Sequence, residues 1–410
     1  MSRPFRVAAL LLAAATLTFP SSLEAQRDAP ASLVASARAV TREVAALRDL
    51  PVLEPVDFRV SDRETIREFA RASLDREMPP ERWGAYEALL EHTGLIPPTT
   101  DLHELILSLY TEQIAGYYDP ARKTFYLADW LPELLQRAVV AHEVTHALQD
   151  QHFDLERWLA ELPPTEDGAL ARAAVAEGDA MAAMLAYVLV PTGASLDDLP
   201  GVGELLRRNA GAAGAAFPTF DRAPKALQRL LLFPYVEGAD FVLAVRERGG
   251  WDAVDRLYRE PPASTEQILH PERYWNGSDP PRSIDLPSGA PSETTRMSGS
   301  WGEFGVALVL EAALGDSLAA REAARGWAGD RYALSRAEDG TRVYRWSLAW
   351  DSTGAAERFA EAYAQATVSR FPGPARYVTG EGRFEFDHPV RTLELVWSGD
   401  RVEIFEKHAR

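Results

Sequence analysis

The sequence predicts an α+β protein, with a mostly helical domain that contains a small sheet, followed by a separate α+β domain. Up to about residue 258, apolar residues recur mainly at helical spacing. Two short aromatic and apolar segments joined by a turn interrupt this pattern. From about Ser298 onward, segments that alternate like antiparallel strands predominate. The chain of 410 residues is long enough for two or three domains.

Composition and the first residues indicate where the protein works. The net charge of −18 argues against nucleic acid or an anionic membrane as partner, and the absence of cysteine excludes disulfides. Residues 1–25 combine Arg3 and Arg6, the apolar run Val7–Leu17 and a small, polar stretch that ends at Ala25. This pattern is typical of a secretory signal peptide. We therefore expect a secreted or periplasmic protein with no membrane span in the remaining chain.

Residues 26–104 form a predicted N-terminal helical region. Ala31–Leu50 and Asp62–Leu90 each carry apolar residues at helical spacing, and the segment PVLEPVDF separates them. The sequence leaves open whether this region is a removable prosegment or a fixed cap over a cleft.

Residues 105–290 form the second predicted region. Ile114–Tyr118 and Thr124–Ala128 are predicted strands, because the turn DPARK joins them and their residues are aromatic and apolar. One helix is predicted over LPELLQRAVVAHEVTHALQDQHF, where Pro132 fits the first turn. The following segment ALARAAVAEGDAMAAMLAYVLV predicts a second helix, which is nearly all apolar and therefore buried.

The rest of the chain is less regular at first and then forms the predicted C-terminal domain. Pro191–Pro224 is a Gly/Ala-rich connection with one short helix, Gln228–Tyr258 is a helix, and Glu260–Pro291 is irregular. Residues 298–410 begin with the helical segment WGEFGVALVLEAAL, and a further helix covers Thr353–Ser369. The predicted strands of this domain are Tyr344–Trp350, Phe384–Phe386, Arg391–Trp397 and Arg401–Phe405.

The first predicted helix carries the pattern H-E-V-T-H. His142 and His146 are four residues apart, so both imidazoles lie on one helix face and can bind one ion. Neutral imidazole binds Zn²⁺, and Glu143 can approach the open side of that ion as a general base. The pattern therefore predicts a Zn²⁺ cofactor that activates water and polarises a carbonyl group.

A catalytic zinc needs a third protein ligand, and two candidates exist. His152 follows His146 by six residues, but the position where that arrangement needs a helix-breaking glycine is Gln149. Glu177 lies in the next helix, in the segment AVAEGDA, where a buried carboxylate needs a partner. We expect Glu177 to be the ligand. Asp179 and Asp150 are candidate acceptors for the other N–H of a ligand histidine.

HEVTH followed by AEGDA on the next helix resembles the gluzincin branch of the zincin metallopeptidases. The resemblance covers roughly residues 105–275. It implies that His142, His146 and Glu177 bind zinc and that Glu143 is the base. It also implies an edge strand that pairs with the substrate backbone, and Thr124–Ala128 is placed to be that strand.

Two further residues are candidates for stabilising an oxyanion. The segment PYVEGADFV resembles the Y-x-x-G segment of aminopeptidase-type members, which implies a catalytic role for Tyr235, with a core tyrosine as the alternative. His270, in STEQILHPERY, could supply an imidazole donor as in thermolysin-like members, with a structural hydrogen bond as the alternative.

The expected function is a secreted zinc metallopeptidase that acts on peptide or protein substrates. The Gly-Ala-Met-Glu-Asn segment by which aminopeptidases recognise a free N-terminus is absent, which favours an endopeptidase. The alternatives are a non-catalytic binding or assembly protein on a zincin scaffold, and a zinc hydrolase of a non-peptide amide. The sequence does not indicate an oligomeric state.

Overall fold

The computed structural model confirms the α+β class, with a helical N-terminal part and a separate C-terminal sheet domain. It describes residues 30–113, 116–119, 122–128, 133–161, 165–198, 206, 217–275, 279–287, 289 and 292–408. The predicted signal peptide, residues 1–25, lies outside these ranges, as does half of the predicted connection Pro191–Pro224.

The described N-terminal region is more finely divided than predicted. Its elements are α1 (Pro30–Arg48), β1 (Asp57–Ser61), α2 (Arg63–Glu77), α3 (Pro80–Thr93) and α4 (Leu102–Gln113). The prediction of one helix over Asp62–Leu90 is wrong, because the consecutive prolines 79 and 80 interrupt the helical hydrogen bonds. Asp62 instead caps α2 by accepting from the Thr65 N–H. Strand β1 begins inside the segment predicted to be only a break.

The small sheet contains β1 and both strands predicted beside the turn. These are β2 (Gly116–Asp119) and β3 (Thr124–Ala128), and the strand order is β1-β3-β2. Strand β3 pairs in parallel with β1 and antiparallel with β2. The prediction that Thr124–Ala128 is an edge strand is therefore wrong, because its backbone is paired on both sides. In the described sheet, the edges are β1 and β2.

The central helices follow the prediction closely. They are α5 (Glu133–Phe153), α6 (Leu155–Ala160), α7 (Glu166–Leu189), α8 (Pro218–Arg222) and α9 (Lys225–Leu257), and α9 bends at Gly249 and Gly250. The segment Glu166–Thr192 is long and apolar enough to cross a membrane, but 78% of an apolar stretch of 18 residues within it is buried inside the structure. Two short helices, α10 (Thr265–Leu269) and α11 (Pro271–Trp275), lie in the stretch Glu260–Pro291 that was predicted to be irregular.

The C-terminal domain is built on one seven-stranded antiparallel sheet in the order β4-β5-β6-β10-β9-β8-β7. Its elements are β4 (Thr294–Gly299), α12 (Gly302–Leu314), α13 (Ser317–Ala324), β5 (Trp327–Arg336), β6 (Arg342–Trp350), α14 (Thr353–Arg370), β7 (Arg376–Gly380), β8 (Arg383–His388), β9 (Arg391–Ser398) and β10 (Arg401–His408). The sequence prediction missed β4, β5, β7 and α13. Strand β4 also begins before residue 298, the predicted start of the domain.

Helix α14 covers one face of this sheet. Ser352 caps the helix by accepting from the Ala355 N–H. The ring of Phe359 lies 4.8 Å from the Trp350 ring and 5.7 Å from the Trp346 ring, and all three side chains are fully buried. These large rings supply much of the apolar area that the domain buries.

The end of α3 docks into the C-terminal domain through two arginines. Arg370 donates to the Glu91 carbonyl at 3.1 Å and also to the His92 carbonyl, and Arg391 donates to the His92 carbonyl at 3.0 Å. These carbonyls belong to the last turn of α3, where unpaired acceptors and the helix dipole favour positive charge. The contact therefore joins the N-terminal region to the sheet domain.

Beneath this contact lies a buried ionic network around Glu406. Arg391 donates to its carboxylate at 2.7 Å, Tyr363 donates at 2.6 Å, and the His92 Nε2 atom lies 2.9 Å away. Burial alone would raise the pKa of the Glu406 carboxyl, but Arg391, His92 and Tyr363 together outweigh burial and hold this pKa below its usual value. Burial and Arg391 also lower the pKa of His92 to about 3, so His92 is a neutral donor to Glu406.

We expect Arg391→Met to lower the free energy of unfolding by about 3–5 kcal/mol, because it leaves a buried carboxylate without its cation. The matched control is Arg383→Met on the next strand. Arg383 is exposed and pairs with Glu394 at 2.8 Å, so its loss should cost under about 1 kcal/mol. Urea unfolding followed by circular dichroism measures both. Equal effects of the two variants would contradict the importance assigned to the Glu406 network.

Candidate metal centre

The two histidines of the H-E-V-T-H pattern lie one turn apart on the buried face of α5. His142 and His146 place their Nε2 atoms 3.1 Å apart, and their rings are nearly perpendicular at 83°. Both residues are buried. Helix α5 lies in the core because Val139, Val140, Val144 and Leu148 pack around the same turns. The helix therefore presents two nitrogen ligands at one point in the interior.

Glu177 on α7 completes a group of three metal-binding side chains. Its Oε2 atom lies 3.1 Å from the His142 Nε2 atom and 3.5 Å from the His146 Nε2 atom. Ligands at 2.0–2.1 Å from a tetrahedral ion stand about 3.3 Å apart, and the three separations bracket this value. This buried group could hold a metal ion. The structure thus brings Glu177 to the histidines, as predicted.

The charges of the group are complementary. Burial would raise the pKa of Glu177, but the two imidazoles together hold it below its usual value. Burial lowers the pKa of His142, whereas at His146 the effects of Glu177, Glu143 and Gln149 together outweigh burial and raise the pKa to about 9. A proton therefore resides on His146 when no metal is bound, and a metal must displace it.

Gln149 connects His146 to a second buried carboxylate. The Gln149 Oε1 atom lies 2.9 Å from the His146 Nδ1 atom, and its Nε2 atom donates at 3.0 Å to Asp179 and to the Ala176 carbonyl. Asp179 therefore supports the ligand through Gln149 and not by direct contact. Asp150, the other predicted acceptor, receives the Tyr118 hydroxyl at 3.2 Å. Gln149 lies three residues from His146, so helical spacing could have revealed it.

The first helix supplies the cation for Asp179. Arg48, at the end of α1, is fully buried and donates to Asp179 at 2.5 Å and to Asp255 at 2.7 Å. Tyr258 donates its hydroxyl to Asp179 at 2.8 Å. No sequence signal indicated Arg48, because its partner is 131 positions away. The N-terminal helix is thus part of the support of the metal-binding group.

The side chain of Glu143 extends from α5 to the edge strand β2. Its carboxylate accepts the Tyr118 N–H at 3.2 Å, and burial raises its pKa to about 8. Because Tyr118 donates to Glu143, its N–H points away from β3 and toward α5. Strand β2, and not Thr124–Ala128, is therefore the edge strand beside the candidate base.

Tyr235 stands next to the ligands because two helix backbones touch. Its ring lies 6.0 Å from the His142 ring, and its side chain is buried. A Cβ atom at Gly178 would fall on the Gly238 carbonyl, and one at Gly238 would fall on the Ala174 carbonyl. The glycines of the segments AEGDA and YVEG thus allow α7 and α9 to approach closely.

Two predicted candidates lie elsewhere. The His270 Nε2 atom lies 2.9 Å from Glu303 in α12, and in the described chain no contact joins it to the three ligands. His152 directs its Nε2 atom to the Pro51 carbonyl at 2.8 Å. Helix α5 continues to Phe153, so His152 stays on another face and does not return toward the ligands. Both residues make structural contacts, and for His270 this is the alternative that the sequence left open.

Comparisons with known proteins bear only on the C-terminal domain. Residues 293–409 match a family model described as a domain of unknown function (DUF8575). This range begins just before β4 and ends just after β10, so the match coincides with the seven-stranded sheet and its helices. No curated protein and no solved structure matches the chain.

We expect Gln149→Met to weaken zinc binding about 10- to 100-fold, because His146 loses the acceptor that orients its ring. Competition with a chromogenic chelator measures the affinity. The matched control is Gln151→Met, two residues along the same helix, whose amide contacts the backbone of residues 53 and 54. This control should keep the affinity. An unchanged affinity in Gln149→Met would show that the contact does not tune the ligand.

We expect Gly238→Ala to destabilise the protein by about 1–3 kcal/mol and to weaken zinc binding, because the added methyl group forces α9 away from α7. Gly84→Ala is the control, since a Cβ atom at Gly84 in α3 meets nothing within 4 Å. That change should stabilise by about 0.5–1 kcal/mol. Thermal unfolding and chelator competition report both quantities. Normal zinc affinity in Gly238→Ala would show that the close contact between α7 and α9 is not needed for zinc binding.

Proposed function

We propose that the protein is a zinc-dependent metallopeptidase. The observation that carries the proposal is the convergence of His142, His146 and Glu177, with the buried carboxyl of Glu143 on the next residue of the same helix. Two imidazole nitrogens and one carboxylate oxygen form a ligand set typical of catalytic zinc, which keeps one position open. A purely structural site would more often supply four protein ligands.

Zinc bound there would polarise a substrate carbonyl and lower the pKa of a water molecule toward neutrality. Glu143 is the group that takes a proton from water, and it can then deliver this proton to the leaving amine. The Tyr118 N–H holds its carboxylate from one side and fixes its orientation. The raised pKa of Glu143 suits a group that must both accept and release a proton near neutral pH.

Two features beside the metal-binding group support peptide hydrolysis. In the described sheet, β2 is an edge strand beside Glu143, and an edge strand can add an extended peptide through backbone hydrogen bonds. The Tyr235 ring is stacked near the His142 ring, and among the described residues no other tyrosine ring contacts a ligand histidine. A phenol in this place could donate to an oxyanion. We include Tyr235 in the proposed site and leave out His270.

The proposal extends to the protein's setting. A signal peptide over residues 1–25 would deliver the enzyme to the periplasm or the exterior, where its substrates would be peptides or proteins. An endopeptidase is favoured, because the segment by which aminopeptidases recognise a free N-terminus is absent.

The test compares the zinc-loaded chain with Glu143→Gln and Glu177→Gln on a partly unfolded protein mixture. Mass spectrometry maps the new peptide termini, and elemental analysis gives the zinc content. We expect internal cuts from the parent, none from Glu143→Gln with zinc retained, and none from Glu177→Gln with most of the zinc lost. Tyr235→Phe should bind zinc normally and lower kcat more than it changes KM.

Other outcomes would redirect the assignment. Loss of terminal residues alone would indicate an exopeptidase. Cuts that persist in Glu143→Gln would contradict the role of this residue as base. An absence of cuts, with zinc bound, would favour the binding-protein alternative or a non-peptide amide as substrate.

A further inference from the structure

A cavity of about 670 Å³ lies between α3 and one end of the C-terminal sheet. Small residues of α3 form one wall, and strands β4, β5, β6 and β10 form the other. The cavity shares no residue with the metal-binding group or with its supporting network. Its size falls in the range of sites that hold a small molecule.

Basic side chains gather in this cavity because the strand register brings them together. Arg336 is paired with Arg342 across β5 and β6, and Arg342 is paired with His408 across β6 and β10. Directly opposed residues of antiparallel strands point to the same face of a sheet. The register shift in β4 between Thr295 and Met297 adds Arg296 to the same cavity.

The positive charge of the cavity is not neutralised within the described chain. Glu91 is the acidic residue of its lining, and Arg342 already binds it at 3.0 Å. Arg296 and Arg336 have no side-chain hydrogen bond or ion pair with any described residue. Glu338 and Asp339 line an adjoining cavity that shares both arginines, but neither carboxylate pairs with them. Unpaired cations facing one space are notable in a chain with a net charge of −18.

His408, at one end of this cavity, is half-buried near Arg342 of the lining and near two further arginines that do not line the cavity. Burial, with Arg391, Arg342 and Arg370, lowers the pKa of His408 to about 4, while Glu406 opposes this shift. The His408 ring therefore stays neutral in a field that favours anions. A dianion bound beside it would reverse the effect and raise this pKa.

The remaining wall is apolar and open. Ala85, Ala88, Pro98 and Leu334 contribute to the lining. Gly84 occupies the middle of α3, where a Cβ atom would meet nothing within 4 Å. Inorganic phosphate alone would leave most of the volume empty, whereas an organic group attached to it would cover the apolar wall.

We propose that this cavity binds a small organic phosphate, with the phosphate on Arg296 and Arg336 and the organic group against α3. Planar guanidinium groups bind phosphate through paired hydrogen bonds, and two of them match its double charge. This site lies outside the proposed metallopeptidase function and does not depend on it.

The test uses the full chain, with inorganic phosphate and phenyl phosphate as probes in isothermal titration calorimetry. We expect phenyl phosphate to bind more tightly than inorganic phosphate. Arg336→Gln should weaken both about tenfold or more. The control is Arg331→Gln, on the same strand but on the opposite face, which should leave binding unchanged. Gly84→Leu should reduce the preference for phenyl phosphate by filling the space beside α3.

A second readout is the His408 ring, followed by NMR as a function of pH. Its pKa should rise when phenyl phosphate is added to the parent and stay unchanged in Arg336→Gln. Failure of both probes to bind would overturn the proposal. Equal binding of the two probes would overturn the organic part, and equal weakening by Arg331→Gln would show nonspecific attraction only.

Discussion

The buried ion pair between Arg48 and Asp179 joins the parts of the helical domain that form the metal-binding group. A carboxylate without solvent is costly unless cations and hydrogen-bond donors surround it. Asp179 receives such contacts from Arg48, Gln149 and Tyr258. These partners come from α1, from α5 and from the end of α9, while Asp179 itself is on α7. The Asp179 carboxylate thus links four segments. Gln149 connects it to His146 through a second hydrogen bond.

The second constraint is the close approach of α7 and α9. Side chains normally keep helix axes 8–10 Å apart, and only glycine lets backbones touch. At Gly178 and Gly238 the structure uses this freedom at positions next to, and three residues after, the two functional candidates Glu177 and Tyr235. The two glycines that let the helices pack closely therefore also bring Glu177 and Tyr235 near the histidines. This explains why the segments AEGDA and YVEG combine a functional residue with a glycine.

The sequence predicted the local part of this arrangement and missed the distant part. His142, Glu143 and His146 are placed by helical periodicity, so the pattern of one helix was enough to group them. Glu177 was inferred from the need of a buried carboxylate for a partner, and the structure brings it to the histidines. Arg48 and strand β1 were missed because their partners are far along the chain. His270 was misplaced for a related reason: its neighbour Glu303 belongs to the other domain.

The contacts also bear on whether the N-terminal helices could be a removable prosegment. Removing α1 would take Arg48 from the interior and leave Asp179 as a buried carboxylate without its cation, at a cost of several kcal/mol. Removing α3 would separate the carbonyls of Glu91 and His92 from Arg370 and Arg391, and Glu406 would lose its contact with His92. Through these contacts, the N-terminal helices connect the metal-binding group, by way of Arg48, to the C-terminal sheet, by way of the last turn of α3.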